Sequence, residues 1–177
     1  GVDAHVVLIA GPQMCIAAPL GSGSCPDDSN PEGGYLRVAQ QVGSNDSLDL
    51  ILATYDQWSG FMRPDAIKHV VAVSDDEAYT DTGAWDQSFR ALGPAYEDYQ
   101  FHAIVGLFDI GDILMCLQDP LCCALVADSG DSYMSLVELT GGLLGDLCEQ
   151  EFGPIFDELS TVVVDSSPLP CDFAIPE

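Results

Sequence analysis

Acidic and hydroxyl side chains follow two apolar segments of this sequence at the point where each segment ends. Segment 67–73, IKHVVAV, runs into Ser74 and a run of acids that begins with Asp75, and segment 101–108, FHAIVGLF, is followed by Asp109. If both segments are parallel strands, their carboxyl ends share the edge of the sheet where ligands bind. Carboxylates and hydroxyls supply the oxygen ligands that Mg²⁺ and Ca²⁺ prefer. Because Asp also forms turns and caps helices, a purely structural role is the alternative.

Three histidines, His5, His69 and His102, lie in apolar segments. Histidines on different elements could converge on Zn²⁺, but strand histidines are more often packed or hydrogen-bonded than metal ligands. The sequence contains no Gly-x-Ser-x-Gly nucleophile elbow and no pair of acids typical of general acid and base catalysis. We therefore expect that the protein is not an enzyme. A hydrolase with an Asp-bound metal is a third hypothesis, after the binding module and the structural domain that are described below.

The charge of the chain limits its partners. Four basic residues stand against 29 acidic ones, which gives a formal net charge of -25. Such a surface repels phosphate backbones and anionic lipid headgroups, so we expect neither nucleic-acid binding nor binding to a membrane surface. No apolar run is long enough to insert into a membrane.

Seven cysteines occur, and their spacing matches neither a zinc ribbon nor a redox Cys-x-x-Cys pair. Disulfides are the better interpretation, and they place the protein in an oxidising compartment. The sequence does not fix the connectivity. We predict three local pairs, which leave one thiol over: Cys15 with Cys25, Cys116 with one of the adjacent Cys122 and Cys123, and Cys148 with Cys171.

Hydrophobic patterning predicts an alternation of strands and helices. The predicted strands are 2–10, 67–73, 101–108 and an edge strand at 143–147, and the predicted helices are 47–61, 82–92, 132–139 and 152–163. The remaining segments are a disulfide-held loop at 11–34, a Cys-rich insertion at 109–131 and an extended tail at 166–177. We interpret the chain, 1–177, as one α/β domain with a mostly parallel sheet covered on both faces.

This order of elements resembles the von Willebrand factor A domains, especially those of secreted bacterial lipoproteins. The most specific segment is 136–148, LVELTGGLLGDLC, and the strand that runs into Ser74 and Asp75 adds a weaker similarity. The resemblance implies a three-layer, Rossmann-like sheet with helices on both faces. Segment 2–10 corresponds to the second strand of the family, so the first strand is missing from this sequence. Either it lies upstream of Gly1, or the neighbouring strands close the gap without it.

Members of this family bind a divalent cation at a metal-ion-dependent adhesion site. Its ligands are an Asp-x-Ser-x-Ser motif after the first strand, a Thr or Ser from a second loop and an Asp from a third. Asp75 matches the third element, and Ser44 matches the second, with Ser47 as the alternative. The chain contains no Asp-x-Ser-x-Ser motif, so we expect Mg²⁺, or Mn²⁺ or Ca²⁺, to bind this chain weakly.

The resemblance implies an adhesion-type binding module that is extracellular, at the cell surface or periplasmic. Its partner would be a protein or peptide that offers a carboxylate to the cation. The alternative is a metal-free structural domain of an envelope protein, stabilised by disulfides.

Overall fold

The computed structural model describes residues 4–107, 117 and 120–166. The strands are β1 Val6–Ala10, β2 Tyr35–Ala39, β3 His69–Val73, β4 Gln100–Val105 and β5 Leu144–Asp146. The helices are α1 Ser47–Ala53, α2 Tyr55–Trp58, α3 Thr82–Arg90, α4 Cys122–Leu125, α5 Asp131–Thr140 and α6 Phe152–Ser166. No helix within these ranges is long and apolar enough to cross a membrane.

The strands form two parallel sheets. One contains β1 and β2, and the other has the order β3-β4-β5. The α/β class with parallel strands is therefore confirmed. The prediction of one continuous sheet is not, because β1 and β3 do not pair with each other.

One hydrophobic core joins the two sheets. It combines strand residues such as Val38, Ala72 and Phe101 with the aromatic side chains of α3 and of the turn that follows it. The Trp85 ring stacks on Phe89 at 4.9 Å between centroids, and its indole N–H donates to the carbonyl of Leu48, 2.7 Å away. Aromatic burial of this kind fixes α1 and α3 against each other within the shared core.

A buried ion pair holds loop 11–34 on the other face of β1 and β2. Arg37 of β2 lies 3.3 Å from the carboxylate of Asp28, and both side chains are fully buried. The hydroxyl of Tyr35 donates to the same carboxylate, and the guanidinium also donates to the carbonyl of Gly11. The predicted disulfide between Cys15 and Cys25 is present in this loop, with 5.5 Å between the Cα atoms. The loop is thus a packed layer of the fold.

The second described disulfide corrects the predicted pairing. Cys122 in α4 is bonded to Cys148, which follows β5, with 4.8 Å between the Cα atoms. The predicted bond from Cys148 to Cys171 is therefore wrong, and so is Cys116 with Cys122, because the fold packs α4 against the turn after β5. Cys123 is also disulfide-bonded, and Cys116 and Cys171 lie outside the described residues.

The turn between α5 and β5 requires glycine. Gly141 ends α5 with φ at +71°. A Cβ on Gly142 would lie 1.9 Å from the carbonyl oxygen of Phe101, so no larger residue fits there. Thr140 accepts the backbone N–H of Phe101 at 2.9 Å. This part of the segment LVELTGGLLGDLC therefore seats α5 closely on β4.

Candidate functional site

A solvent-accessible cleft lies where the loop after β2 meets the loop after β3. Its volume is about 430 Å³. Residues of both loops line it, together with the turn after β5: Val42, Gly43, Ser44, Ser47, Val73, Ser74, Asp75 and Leu147. The three residues that the sequence predicted as metal ligands, Ser44, Ser47 and Asp75, thus lie around the same cleft.

Hydrogen bonds between the two loops set the shape of the cleft. The side-chain amide of Asn45 donates to the carbonyl of Glu77 at 2.6 Å, and the Tyr79 N–H donates to the carbonyl of Asn45 at 3.1 Å. Within the first loop, the Gly43 N–H donates to the carboxylate of Asp46 at 2.8 Å. The two loops are therefore cross-linked by the protein's own polar groups.

Asp75 presents its carboxylate to solvent from a fixed backbone. Its carbonyl accepts the backbone N–H groups of Ala127 and Asp128 at 2.6 and 3.2 Å. Beside it, the hydroxyl of Ser74 donates to the carbonyl of Asp76 at 3.0 Å. The Asp75 side chain is exposed, so its oxygens are available to a cation.

Ser47, the first residue of α1, is held by a tyrosine that sequence reasoning missed. The hydroxyls of Ser47 and Tyr133 lie 2.6 Å apart, and either can donate. When Ser47 donates its proton to Tyr133, both of its lone pairs stay free for a cation. Tyr133 is fully buried in α5, 86 residues from Ser47 in the sequence. Only the three-dimensional contact identifies it.

The neighbouring Glu77 has a structural task. Its carboxylate accepts the backbone N–H of Ser132, at 3.2 and 3.0 Å from its two oxygens, and that of Ala78 at 2.6 Å. Ser132 lies in the first turn of α5, where unsatisfied N–H groups and the helix dipole favour a carboxylate. Glu77 therefore anchors α5, and Asp75 is the acid that faces the cleft.

The ligand atoms around the cleft are of the type that a hard divalent cation prefers, but there are too few of them to complete its coordination shell. Two hydroxyls and one carboxylate are oxygen ligands, which Mg²⁺, Mn²⁺ and Ca²⁺ all accept. An octahedral Mg²⁺ ion needs six oxygens, so water and an external carboxylate would have to supply the remainder.

Two of the three histidines meet on the sheet face opposite the core. His69 Nδ1 lies 3.0 Å from His102 Nε2, and His69 Nε2 lies 3.0 Å from the hydroxyl of Ser166. The Leu143 N–H donates to His102 Nδ1 at 2.9 Å. Burial lowers the pKa of His69, and burial followed by the proximity of His69 lowers the pKa of His102 to about 4.

These hydrogen bonds fix the protons of the two rings. Since His102 Nδ1 accepts from Leu143, its neutral ring carries the proton on Nε2 and donates to His69 Nδ1. His69 then carries its proton on Nε2 and donates to Ser166, whose hydroxyl donates to the carbonyl of Val163 at 3.2 Å. A nucleophilic serine needs a histidine that accepts its proton. Here the histidine instead donates its proton to the serine. The contact between His69 and Ser166 therefore positions α6 on the sheet.

His5 lies apart from this pair. Its ring stacks on Phe61 at 4.6 Å, and its Nδ1–H donates to the Phe61 carbonyl at 2.7 Å. In the described part of the chain, the one cluster of three potential metal ligands drawn from histidines, cysteines and acids is Cys122, Asp146 and Cys148. Its two sulfurs are bonded to each other, whereas a metal needs them as thiolates.

Comparison with known proteins assigns no family. No protein-family model, no curated protein and no solved structure matches the chain.

Proposed function

We propose that this chain is a binding module of an extracellular, cell-surface or periplasmic protein, with an architecture like that of a von Willebrand factor A domain. The cleft residues Ser44, Ser47 and Asp75 would hold a divalent cation. That cation would engage a carboxylate of a protein or peptide partner. The observation that carries the proposal is the position of these three side chains around one cleft at the carboxyl ends of parallel strands.

Two further features support this proposal. The backbone around the cleft is fixed by hydrogen bonds from α5 and from the segment after α4, so Asp75 is presented without loop rearrangement. Two disulfides in the described residues, Cys15–Cys25 and Cys122–Cys148, fit a protein that works in an oxidising compartment. The proposal includes no catalytic step.

The second candidate function is that of a metal-free structural domain. It is favoured by the hydrogen bonds from Asn45 to Glu77 and from Tyr79 to Asn45, which join the two cleft loops without a cation. A domain that needs no ion to close its loops could serve as a spacer in an envelope protein.

Calorimetric titration with Mg²⁺, Mn²⁺ and Ca²⁺ separates the two candidates. The proposal predicts a saturable heat of cation binding. Asp75→Asn should lower the affinity for the cation by roughly tenfold or more, because the variant removes the charged ligand. Asp157→Asn is the matched control, since it removes one charge from an exposed position on α6 away from the cleft. Equal affinities in the two variants would contradict the cation site and favour the structural domain.

A further inference from the structure

The edge of β3 that faces away from β4 is open. The Gln100 N–H donates to the carbonyl of Lys68, and the Ser74 N–H donates to that of Ile104. In a parallel ladder alternate residues bond to each neighbour, so Val70 and Ala72 pair with β4. The N–H and C=O groups of His69, Val71 and Val73 then point to the other side, where no described backbone group meets them.

The edge of β1 that faces away from β2 is open as well. The Val6 N–H donates to the carbonyl of Gly34, and the Gln40 N–H donates to that of Ala10. This register assigns Val6, Leu8 and Ala10 to the ladder with β2. The backbone groups of Val7 and Ile9 therefore point away from β2.

The outer edge of β2, in contrast, is covered. Tyr35 and Asn30 exchange backbone hydrogen bonds of 2.9 and 3.0 Å, and the Arg37 N–H donates to the hydroxyl of Ser29 at 3.0 Å. β4 pairs on both sides, and β5 is a strand of three residues. The open edges of five-residue strands are therefore those of β1 and β3.

These two edges border the same region of the molecule. Val7 and Ile9 pack against the same core as Val70 and Ala72. At the amino end of the strands, His5 stacks on Phe61, which lies in the segment that leads to β3. At the carboxyl end, the loop after β2 and the loop after β3 line the same cleft.

The surroundings of this region are apolar. Val6, Val71 and Val73 are 40%, 40% and 58% exposed, and by strand alternation the latter two share the face opposite the core. On the core side, Val7 and Ile9 are only partly buried. A strand placed between β1 and β3 would cover apolar surface on both of its faces, as strands inside parallel sheets do.

The strand slot is the interval between two open edges, that of β1 at Val7 and Ile9 and that of β3 at His69, Val71 and Val73. We propose that the strand slot binds one extended segment of a partner protein. The segment runs parallel to both strands and is apolar over about five residues. Its carboxyl end then lies at the edge that carries Asp75 and Asp76, so basic residues follow the apolar part. The chain's net charge of -25 favours the same choice. This proposal rests on backbone edges and does not require a cation in the cleft.

The probe is a synthetic peptide of five alternating valine and isoleucine residues followed by two lysines. In the free protein, amide exchange followed by NMR should be fast at Val7, Val71 and Val73 and slow at Val70 and Ala72. The peptide should slow exchange at the three open positions by roughly tenfold or more. Equal protection of Val70 and Val71 without peptide, or unchanged exchange at saturating peptide, would overturn the proposal.

Two matched peptides test the pairing and its direction. A peptide with proline at the central position lacks the donor that a ladder needs, so it should bind roughly tenfold or more weakly. A peptide with its lysines at the amino end should also bind more weakly, because they would lie far from Asp75 and Asp76. Equal binding of the proline peptide contradicts strand pairing, and equal binding of the reversed peptide contradicts the parallel orientation.

Variants of the protein test the β3 edge itself. Val71→Pro removes an N–H that faces the strand slot and leaves the bonds of Val70 and Ala72 to β4, whereas Val71→Ala keeps that N–H. We expect peptide affinity to fall by roughly tenfold or more in Val71→Pro and to change little in Val71→Ala. Circular dichroism checks the fold of each variant. Equal affinities of the two, or a dimer of the free protein with protected Val71 amides, would overturn the proposal of a partner peptide.

Discussion

At the scale of single residues, Ser44, Ser47 and Asp75 lie around one cleft because each follows or begins an element at the carboxyl edge of the sheets. The position of Asp75 could be predicted from the sequence, since acids after parallel strands collect at one edge. Ser44 and Ser47 were predicted only from the resemblance to von Willebrand factor A domains, because the strand that precedes them, β2, was not recognised. The residues that position them could not be predicted. Tyr133 and Asn45 act through contacts 86 and 32 residues away in the chain, and no local pattern marks such partners.

The histidine pair makes stability depend on pH. The pKa of His102 is lowered to about 4 in the folded protein, below its ordinary value of 6.5. The folded state therefore binds fewer protons than the unfolded state between these values, and stability is full above pH 6.5 and falls as the pH drops towards 4. We expect a loss of roughly 1–2 kcal/mol between pH 7.5 and pH 5, measured by urea unfolding. His69, whose pKa is also lowered, adds to the loss.

His102→Asn is the control for this pH dependence. The Asn side-chain carbonyl can accept the Leu143 N–H as His102 Nδ1 does, but it does not titrate. The variant should show a smaller loss between pH 7.5 and pH 5. An equal loss in both proteins would assign the effect to other groups.

At the scale of elements, the sequence pattern predicts β3, β4 and the helices α3, α5 and α6 to within a few residues, because each has clear apolar periodicity. Predicted helix 47–61 is interrupted at Thr54, whose hydroxyl donates to the carbonyl of Leu50 at 2.7 Å. Strand β2 was missed. Its central Arg37 looks exposed in sequence, but Asp28 neutralises it in the interior. The predicted tail at 166–177 lies almost entirely outside the described residues.

The ion pair between Arg37 and Asp28 should control the attachment of loop 11–34. Asp28→Ala leaves a buried guanidinium without its counter-charge, and we expect this to cost about 3–5 kcal/mol in urea unfolding. Asp27→Ala removes an exposed neighbouring acid and should shift the midpoint little. Similar midpoints for the two variants would show that the ion pair does not hold the loop.

The disulfide that links α4 to the turn after β5 can be tested by direct measurement. Non-reducing digestion with pepsin, followed by fragmentation between Cys122 and Cys123 in the mass spectrometer, should recover Cys122 linked to Cys148. The bond between Cys15 and Cys25 in the same digest serves as an internal control. Recovery of Cys148 linked to Cys171 would restore the pairing predicted from the sequence and contradict the described packing of α4.

At the scale of the whole molecule, two small parallel sheets share one core but leave the edges of β1 and β3 unpaired. The alternation of strands and helices in the sequence could not show whether β1 and β3 pair with each other. The net charge of -25 adds a second property of the whole chain. It attracts cations to the entire surface, so total cation binding does not identify a site.

The measurement that tests the cation site most directly is therefore resolved by residue. Mn²⁺ broadens the NMR signals of nuclei close to it, and it is added in small amounts to isotope-labelled protein. The experiment uses roughly physiological salt, because salt screens diffuse cation binding. The account predicts that the amide signals of Ser44, Ser47 and Asp75 broaden first, and that Asp75→Asn removes this preference. A second cleft lies between β5 and α6 and is lined by four acids, Asp146, Glu149, Glu151 and Glu158. Broadening centred on these acids, or spread evenly over the protein, would contradict the account.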